Sequence, residues 1–301
     1  MNAYPESCKY KKWQVWWLAA RPKTLWAGII PVIVGTVMAF EVDKFHMISF
    51  LATLTCSVLI QVGTNFANDV FDFQKGTDDE TRKGPMRVTQ AGLVTPHQMK
   101  IATTTVLGLA FLAGIYLVWR AGWPIMIIGL LSLLLAVLYT YGPFPLGYIG
   151  LGDILVLIFF GPVAVGGTYF IFAGHVNTAV LLAGFALGMI ATAILVVNNL
   201  RDMETDKKSG KHTLAVRFGA GFARTEYLLM ICGAMLVPIT IYAIEGTHVW
   251  TNLAALYIFP AIPVTKKVLT CTNGQVLNDA LAGTARLLAI FGALFSLGWL
   301  L

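Results

Sequence analysis

The sequence predicts an all-α, polytopic membrane protein of about nine transmembrane helices around a central chamber, with the N-terminus in the cytoplasm. Of its 301 residues, 57% are hydrophobic and only 12% are charged, about half the charged share that is usual in soluble domains. The mean hydropathy is +0.74. Apolar stretches of roughly 20 residues, the length that spans a bilayer, recur from Leu25 to the C-terminus.

The apolar runs are too long for strands and lack the alternation of a membrane barrel, so helices are the remaining way to satisfy the backbone in lipid. The predicted spans are 25–40, 47–67, 101–119, 123–141, 154–172, 176–198, 225–243, 248–265 and 281–300. Since no Pro/Ser-rich or charged linker divides them, we expect a single membrane domain over residues 1–301.

Residues 1–24 are predicted to form a cytoplasmic interfacial segment. Three lysines precede three tryptophans, and Arg21-Pro22-Lys23 follows. Basic residues also predict the orientation, because cytoplasmic loops are rich in Lys and Arg. With the N-terminus inside, the cytoplasmic segments 1–24, 68–100, 142–153, 199–224 and 266–280 hold 18 of the 21 basic residues.

Several functional classes are excluded by composition. The net charge of +6 is spread beside predicted helices rather than forming a basic stripe with interleaved aromatics, so we expect no nucleic-acid partner. The four cysteines and five histidines are dispersed, which argues against a disulfide framework or a zinc site. We expect membrane lipid as the surroundings, and nothing indicates an obligate protein partner.

Acidic residues gather where topology does not require them. The first group ends the second predicted span, and the second group ends the sixth. In the first, Asn65, Asn68, Asp69 and Asp72 share one helical face, with Asp78 beyond Gly76; in the second, Asn198, Asp202 and Asp206 share a face.

Unpaired carboxylates on adjacent turns repel one another, so a cation is expected there. Mg²⁺ prefers carboxylate oxygens and is often completed by substrate phosphates. Basic residues follow both clusters, which balances the charge of a phosphate group. The candidate metal ligands are Asp69, Asp72, Asp78, Asp202, Asp206, Asn65, Asn68 and Asn198, and the candidate diphosphate residues are Arg82, Arg87, Lys211 and Arg217. The alternative is that these are solvated loop charges and helix caps.

These motifs resemble the UbiA superfamily of intramembrane aromatic prenyltransferases. Asn68-Asp69-x-x-Asp72 is similar to its first aspartate motif, and Asp202-x-x-x-Asp206 is similar to its second. Arg21-Pro22 and the segment 138–153 extend the resemblance over most of the chain. The third aspartate, Asp78, departs from the commoner spacing, because it lies six rather than four residues beyond Asp72.

A narrower resemblance concerns Gly84-Pro85-x-Arg87 and the segment 210–219, which look like the branch of the superfamily that prenylates 1,4-dihydroxy-2-naphthoate in menaquinone synthesis. The resemblance implies that a polyprenyl diphosphate is ionised with Mg²⁺, that its allylic carbon joins the aromatic acid, and that diphosphate and CO₂ leave. It also implies an active site that opens to the cytoplasmic side of a bacterial inner membrane.

Two further residues are candidates for catalysis. Tyr139 is expected to stabilise an allylic cation with its ring face, the alternative being a place in the interfacial aromatic belt. The belt is at least as good an interpretation of Tyr148. Asp153 opens the fifth predicted span, where it either caps the helix or orients the acceptor.

Other functions remain open from the sequence. The acceptor is alternatively 4-hydroxybenzoate, homogentisate, or a haem or chlorophyll precursor. A cation transporter would use the aspartates as an ion path, but such paths place charges near the bilayer midplane in broken helices. Here the charges lie at span ends among Arg and Lys.

Overall fold

The computed structural model describes residues 10–77 and 84–301, and every regular element in these two ranges is helical. The α-helices are α1 Lys12–Ala20, α2 Pro22–Ala39, α3 Met47–Gln74, α4 Pro96–Ala121, α5 Trp123–Leu138, α6 Gly152–Phe159, α7 Pro162–Ala173, α8 Thr178–Lys208, α9 Leu214–Glu245, α10 Ile258–Thr270 and α11 Gly274–Leu300. Short 3₁₀ helices cover Phe40–Val42 and Val249–Tyr257. The all-α membrane fold predicted from the sequence is confirmed.

Eight helical segments in the described ranges are long and apolar enough to cross a bilayer, and Trp123–Leu138 is a shorter apolar helix of 16 residues. The count of nine spans stays a prediction, as does the side of the membrane on which the N-terminus lies. Helices α3 and α8, which carry the acidic clusters, extend past the apolar stretches. Their last turns are polar and remain helical.

The fifth predicted span, 154–172, is two helices rather than one. Gly161 has non-helical dihedrals between α6 and α7, and Pro162 supplies no amide hydrogen to the ladder. The break lies against α8, where a Cβ on Gly188 would lie 2.2 Å from the Leu157 carbonyl oxygen. A stripe of small residues on α8 therefore lets the broken span approach at backbone distance.

Helix α8 is the centre of the bundle. It is buried along most of its length and packs against α2, α6, α7, α9 and α11. A second set consists of α3 with α1, α4 and α5 around it. The two polar helix ends of α3 and α8 thereby lie on either side of the space between these sets.

The polar segments meet at one end of the bundle. The Asn65 amide on α3 donates to the Ala20 carbonyl at 2.9 Å, and Arg201 on α8 donates to Asn278 on α11 at 2.7 Å. At the opposite end, His248 lies 3.4 Å from Glu41. The predicted grouping of loops by side is thus present in the contacts.

Candidate active site

A cavity of about 680 Å³ opens between the helices beside the two acidic clusters. Its walls are mostly apolar and come from α2 to α8, with Leu281 of α11 added. Its polar lining includes Arg21, Thr24, Gln61, Thr64, Asn65, Asn68, Asp72, Arg87, Tyr139, Thr140, Asn198 and Lys211. The cavity thus joins an apolar chamber to a polar region that contains both acidic and basic side chains.

Among the acidic residues that the structure describes in the two clusters, Asp72 lines this cavity, whereas Asp202 and Asp206 do not. Asp72 is 4% exposed. One carboxylate oxygen accepts a hydrogen bond from Arg87 at 2.9 Å, and the other accepts one from the Tyr148 hydroxyl at 2.8 Å. Arg87, a predicted diphosphate residue, is therefore brought to the cavity by the segment after Gly84-Pro85.

Asp69 is buried on the same helix but faces a different partner. Its two carboxylate oxygens accept hydrogen bonds from the backbone amides of Val88 and Thr89, at 3.2 and 3.0 Å. Asp69 is not among the described residues that line the cavity. Its contacts hold the turn that carries Arg87, which is a positioning role; its predicted metal role stays a prediction.

The second cluster is organised by Arg201, which is 4% exposed on α8. Its guanidinium donates to both oxygens of Asp202, at 2.8 and 2.5 Å. The same group donates to Asn198 at 2.8 Å and to Asn278 on α11 at 2.7 Å. A buried carboxylate needs such a partner, because an unpaired charge in a low-dielectric interior is costly.

Asp206 lies one helical turn further along α8 and is 3% exposed. Its Oδ1 is 3.4 Å from the Lys211 ammonium. Among the described residues, nothing forms a hydrogen bond with its buried Oδ2. Gly210, at φ +74°, makes the reversal that ends α8 and returns Lys211 toward Asp206 and the cavity.

The asparagines divide between packing and the cavity. Asn65 donates to the Ala20 carbonyl and to the Thr24 hydroxyl, so it anchors the α1–α2 junction. The Asn68 side-chain oxygen accepts a hydrogen bond from Thr140 at 3.2 Å. Asn198 lines the cavity, and its side-chain oxygen accepts a hydrogen bond from Arg201.

Tyr139 follows the end of α5 and lines the cavity. Its ring lies across the following loop, where a Cβ on Gly147 would be 2.8 Å from the ring and a Cβ on Gly152 would be 2.7 Å from the hydroxyl. Two glycines therefore permit this placement. The Tyr139 ring and hydroxyl thus lie against the loop that leads into α6, at the wall of the cavity.

Asp153 and Arg217 are not among the described residues that line the cavity. Asp153 is 4% exposed, and its Oδ1 finds no hydrogen-bond partner in the described part of the chain. Arg217 is exposed and donates to the carbonyls of His212 and Ile149, at 3.1 and 3.0 Å. Arg217 thus fastens two loops together, and its predicted diphosphate contact stays a prediction.

Asp78 and Arg82 lie outside the described residues. The structure adds Arg201, which was not singled out for the site, and brings in Tyr148, for which the interfacial aromatic belt was at least as good an interpretation. Arg201 had a visible signal, since it precedes Asp202 and follows Asn198 by three positions on one helix. The partners of Tyr148 could not be read from the sequence, because they come from segments more than 60 positions away.

The side chains of the two clusters suit a hard divalent cation that takes oxygen ligands. Within residues 10–77 and 84–301, no group of three or more acidic, His or Cys side chains forms a ready cluster. The oxygen donors are instead carboxylates and amides carried by two helices, α3 and α8, and the buried Asp206 Oδ2 is an acceptor with unused capacity. Hard oxygen ligands of this kind suit Mg²⁺ completed by phosphate oxygens.

Comparison with known proteins agrees with the fold and the motifs. The model of the UbiA prenyltransferase family matches residues 28–275. The 1,4-dihydroxy-2-naphthoate octaprenyltransferase of Haemophilus influenzae is 34% identical over 97% of both chains. The enzyme of the same name from Escherichia coli is 38% identical over 80% of this chain and 81% of its own.

Among solved structures, a UbiA homologue from Archaeoglobus fulgidus bound to DMAPP and Mg²⁺ superposes with a TM-score of 0.66. It covers 93% of this chain and 99% of its own at 15% identity, so it shows the fold. The resemblance seen in the aspartate motifs is confirmed by the family match over most of the chain. The chain belongs to the UbiA prenyltransferase family.

Proposed function

We propose that this protein transfers a polyprenyl group from a polyprenyl diphosphate to 1,4-dihydroxy-2-naphthoate, releasing diphosphate and CO₂ and giving demethylmenaquinol. The observation that carries the proposal is the cavity itself, which joins an apolar chamber to a charged end holding Asp72, Arg87 and Lys211. An isoprenoid tail suits the first part and a diphosphate the second. Relatives named for dihydroxynaphthoate support the choice of acceptor.

In this proposal the carboxylates of both clusters bind Mg²⁺. Asp72, which lines the cavity, and Asp206, which pairs with the cavity-lining Lys211, are its first ligands, and Asp69, Asp202 and Asp78 support them. The asparagines Asn65, Asn68 and Asn198 complete or orient that shell. When bound, Mg²⁺ neutralises charge on the departing diphosphate. The A. fulgidus homologue, bound to the prenyl diphosphate DMAPP and Mg²⁺, supports this cofactor.

The chain's own residues do the rest. Arg87 and Lys211 hold phosphate oxygens, with Arg82 and Arg217 as further predicted contacts. The apolar walls exclude water, which would otherwise capture an allylic cation. Tyr139 presents its ring to that cation, and Asp153 orients the hydroxyl of the acceptor.

The orientation in the membrane follows from charge. Most basic residues lie in segments that meet at the end of the bundle where the site opens. By the positive-inside rule that end faces the cytoplasm, and the protein belongs in a bacterial inner membrane with lipid around it.

The test uses purified full-length protein in lipid nanodiscs with a polyprenyl diphosphate, Mg²⁺ and dihydroxynaphthoate. We expect release of diphosphate and CO₂, a prenylated product by mass spectrometry, and loss of activity with EDTA that added Mg²⁺ restores. Asp72→Asn should abolish turnover, whereas Asp43→Asn, at the opposite end of the bundle, should not. Turnover of 4-hydroxybenzoate or homogentisate in preference to dihydroxynaphthoate would refute the acceptor, and full activity of Asp72→Asn would refute the site.

A further inference from the structure

Tyr148 lies in the loop between α5 and α6 and is 7% exposed. Its hydroxyl donates to Asp72 Oδ1 at 2.8 Å and is 2.6 Å from the Thr77 hydroxyl. A carboxylate accepts hydrogen bonds only, so the Tyr148 proton points to Asp72 and Thr77 must donate to Tyr148. The resulting chain runs in one direction, from Thr77 through Tyr148 to Asp72.

The ring of the same tyrosine collects positive charge. The ammonium of Lys75 lies 4.7 Å from the ring centroid, and that of Lys211 lies 5.8 Å from it. Both distances are within the range of cation–π attraction. Lys211 also pairs with Asp206 at 3.4 Å, so Tyr148 contacts Asp72 of the first cluster directly and reaches Asp206 of the second through Lys211.

The position of this loop does not depend on the Tyr148 side chain. The His212 amide donates to the Tyr148 carbonyl at 2.8 Å, and Arg217 bridges the carbonyls of Ile149 and His212. These backbone ties join the loop before α6 to the turn after α8. A change of the Tyr148 side chain therefore alters the contacts of its hydroxyl and ring while the loop stays attached.

We propose that Tyr148 is a positioning residue that couples the two aspartate clusters. Its hydroxyl fixes the orientation of Asp72, whose other oxygen is held by Arg87, and its ring holds the Lys211 ammonium beside Asp206. A carboxylate held from both sides keeps the geometry that a metal requires, and an ammonium held on a ring is placed for phosphate before substrate arrives. This role rests on the proposed function and assigns Tyr148 a part in it.

Two substitutions test the hydroxyl contact and the ring contact of Tyr148 separately. Tyr148→Phe keeps the ring and removes the hydroxyl, so the Mg²⁺ concentration for half-maximal activity should rise by about 10-fold. The KM for prenyl diphosphate should stay within about 2-fold, because the ring still holds Lys211. Tyr148→Leu removes both contacts, and it should raise that KM by about 10-fold in addition.

Binding gives a second readout that needs no acceptor and no turnover. Calorimetry with geranyl diphosphate at graded Mg²⁺ should show the same division, with Tyr148→Phe weakened only at low Mg²⁺ and Tyr148→Leu weakened throughout. Thr77→Val, which leaves Tyr148 in place, should shift the Mg²⁺ dependence in the direction of Tyr148→Phe by about 3-fold. If Tyr148→Phe yields no folded protein, Thr77→Val alone tests the role of the hydroxyl contact.

The matched control is Tyr242→Phe on α9. Tyr242 is 41% exposed. Its substitution by Phe removes one tyrosine hydroxyl, as Tyr148→Phe does, but at a position away from the site. It should leave both titrations unchanged. Wild-type Mg²⁺ dependence in Tyr148→Phe and Thr77→Val, or identical prenyl diphosphate binding by Tyr148→Phe and Tyr148→Leu, would overturn the coupling role. Failure of the wild type to prenylate dihydroxynaphthoate would refute the proposed function instead, since the binding titrations stand without it.

Discussion

Arg201 is the best place to test the electrostatics of the second cluster. Arg201→Met keeps the aliphatic stem and removes a guanidinium that donates to Asp202, Asn198 and Asn278. Asp202 is 4% exposed and would be left without this cation in a low-dielectric site. Breaking a buried ion pair from one side costs about 3–5 kcal/mol.

This loss of stability has two causes, and different variants measure each of them. The larger part is the penalty for a buried carboxylate that has lost its guanidinium partner, and the smaller part is the loss of the contacts to the two asparagines. The double variant Arg201→Met/Asp202→Asn has no buried carboxylate at this position. It should therefore recover most of the lost stability, while prenyl transfer stays impaired because the proposed metal site has lost Asp202.

The assay is thermal unfolding in detergent, followed by circular dichroism, together with Mg²⁺-dependent turnover on the same preparations. Lys208→Met is the control, because Lys208 is an exposed cation on the same helix. It should match the wild type in both measurements. A double variant that is as unstable as Arg201→Met would refute the reasoning, since the charge that Arg201 neutralises on Asp202 would then not be the source of the loss.

Two other predictions follow from single contacts. Gly188→Ala should destabilise the protein by about 2 kcal/mol or more, because its Cβ would lie 2.2 Å from the Leu157 carbonyl; Gly108→Ala, with open space around it, should be neutral or stabilising in the same melting experiment. Lys211→Met should raise the KM for prenyl diphosphate by about 10-fold, whereas Arg217→Met should chiefly lower the melting temperature, because its guanidinium is engaged by loop carbonyls. Equal KM effects of the two variants would instead support the diphosphate contact predicted for Arg217.

Much of the fold could be predicted because membrane insertion is a local matter of length and composition. The apolar stretches are visible in any window of about 20 residues. The break at Gly161-Pro162 was missed because the stretch around it is apolar throughout, and hydropathy does not register a change of backbone direction. The polar extension of α3 and α8 is not visible in hydropathy either, and only the helical spacing of the acidic residues indicated it.

The acidic clusters were predictable as helical faces but not as contacts. Spacing of three and four residues places Asn65, Asn68, Asp69 and Asp72 on one side of α3. It does not say that Asp69 meets the amides of a turn 19 and 20 positions away while Asp72 lines the cavity. That choice depends on which segment packs against each turn.

The sequence by itself determined the membrane class, the family motifs and the residue types that meet phosphate and metal, because each is written in local composition and short spacing. Only the tertiary structure decided how those residues are shared among partners. It placed Arg201 on Asp202, Lys211 beside Asp206, and Tyr148 between Asp72 and Lys211. The physical reason is that charges in a low-dielectric interior take the partners that packing brings within a few ångströms, and packing joins segments far apart in the chain.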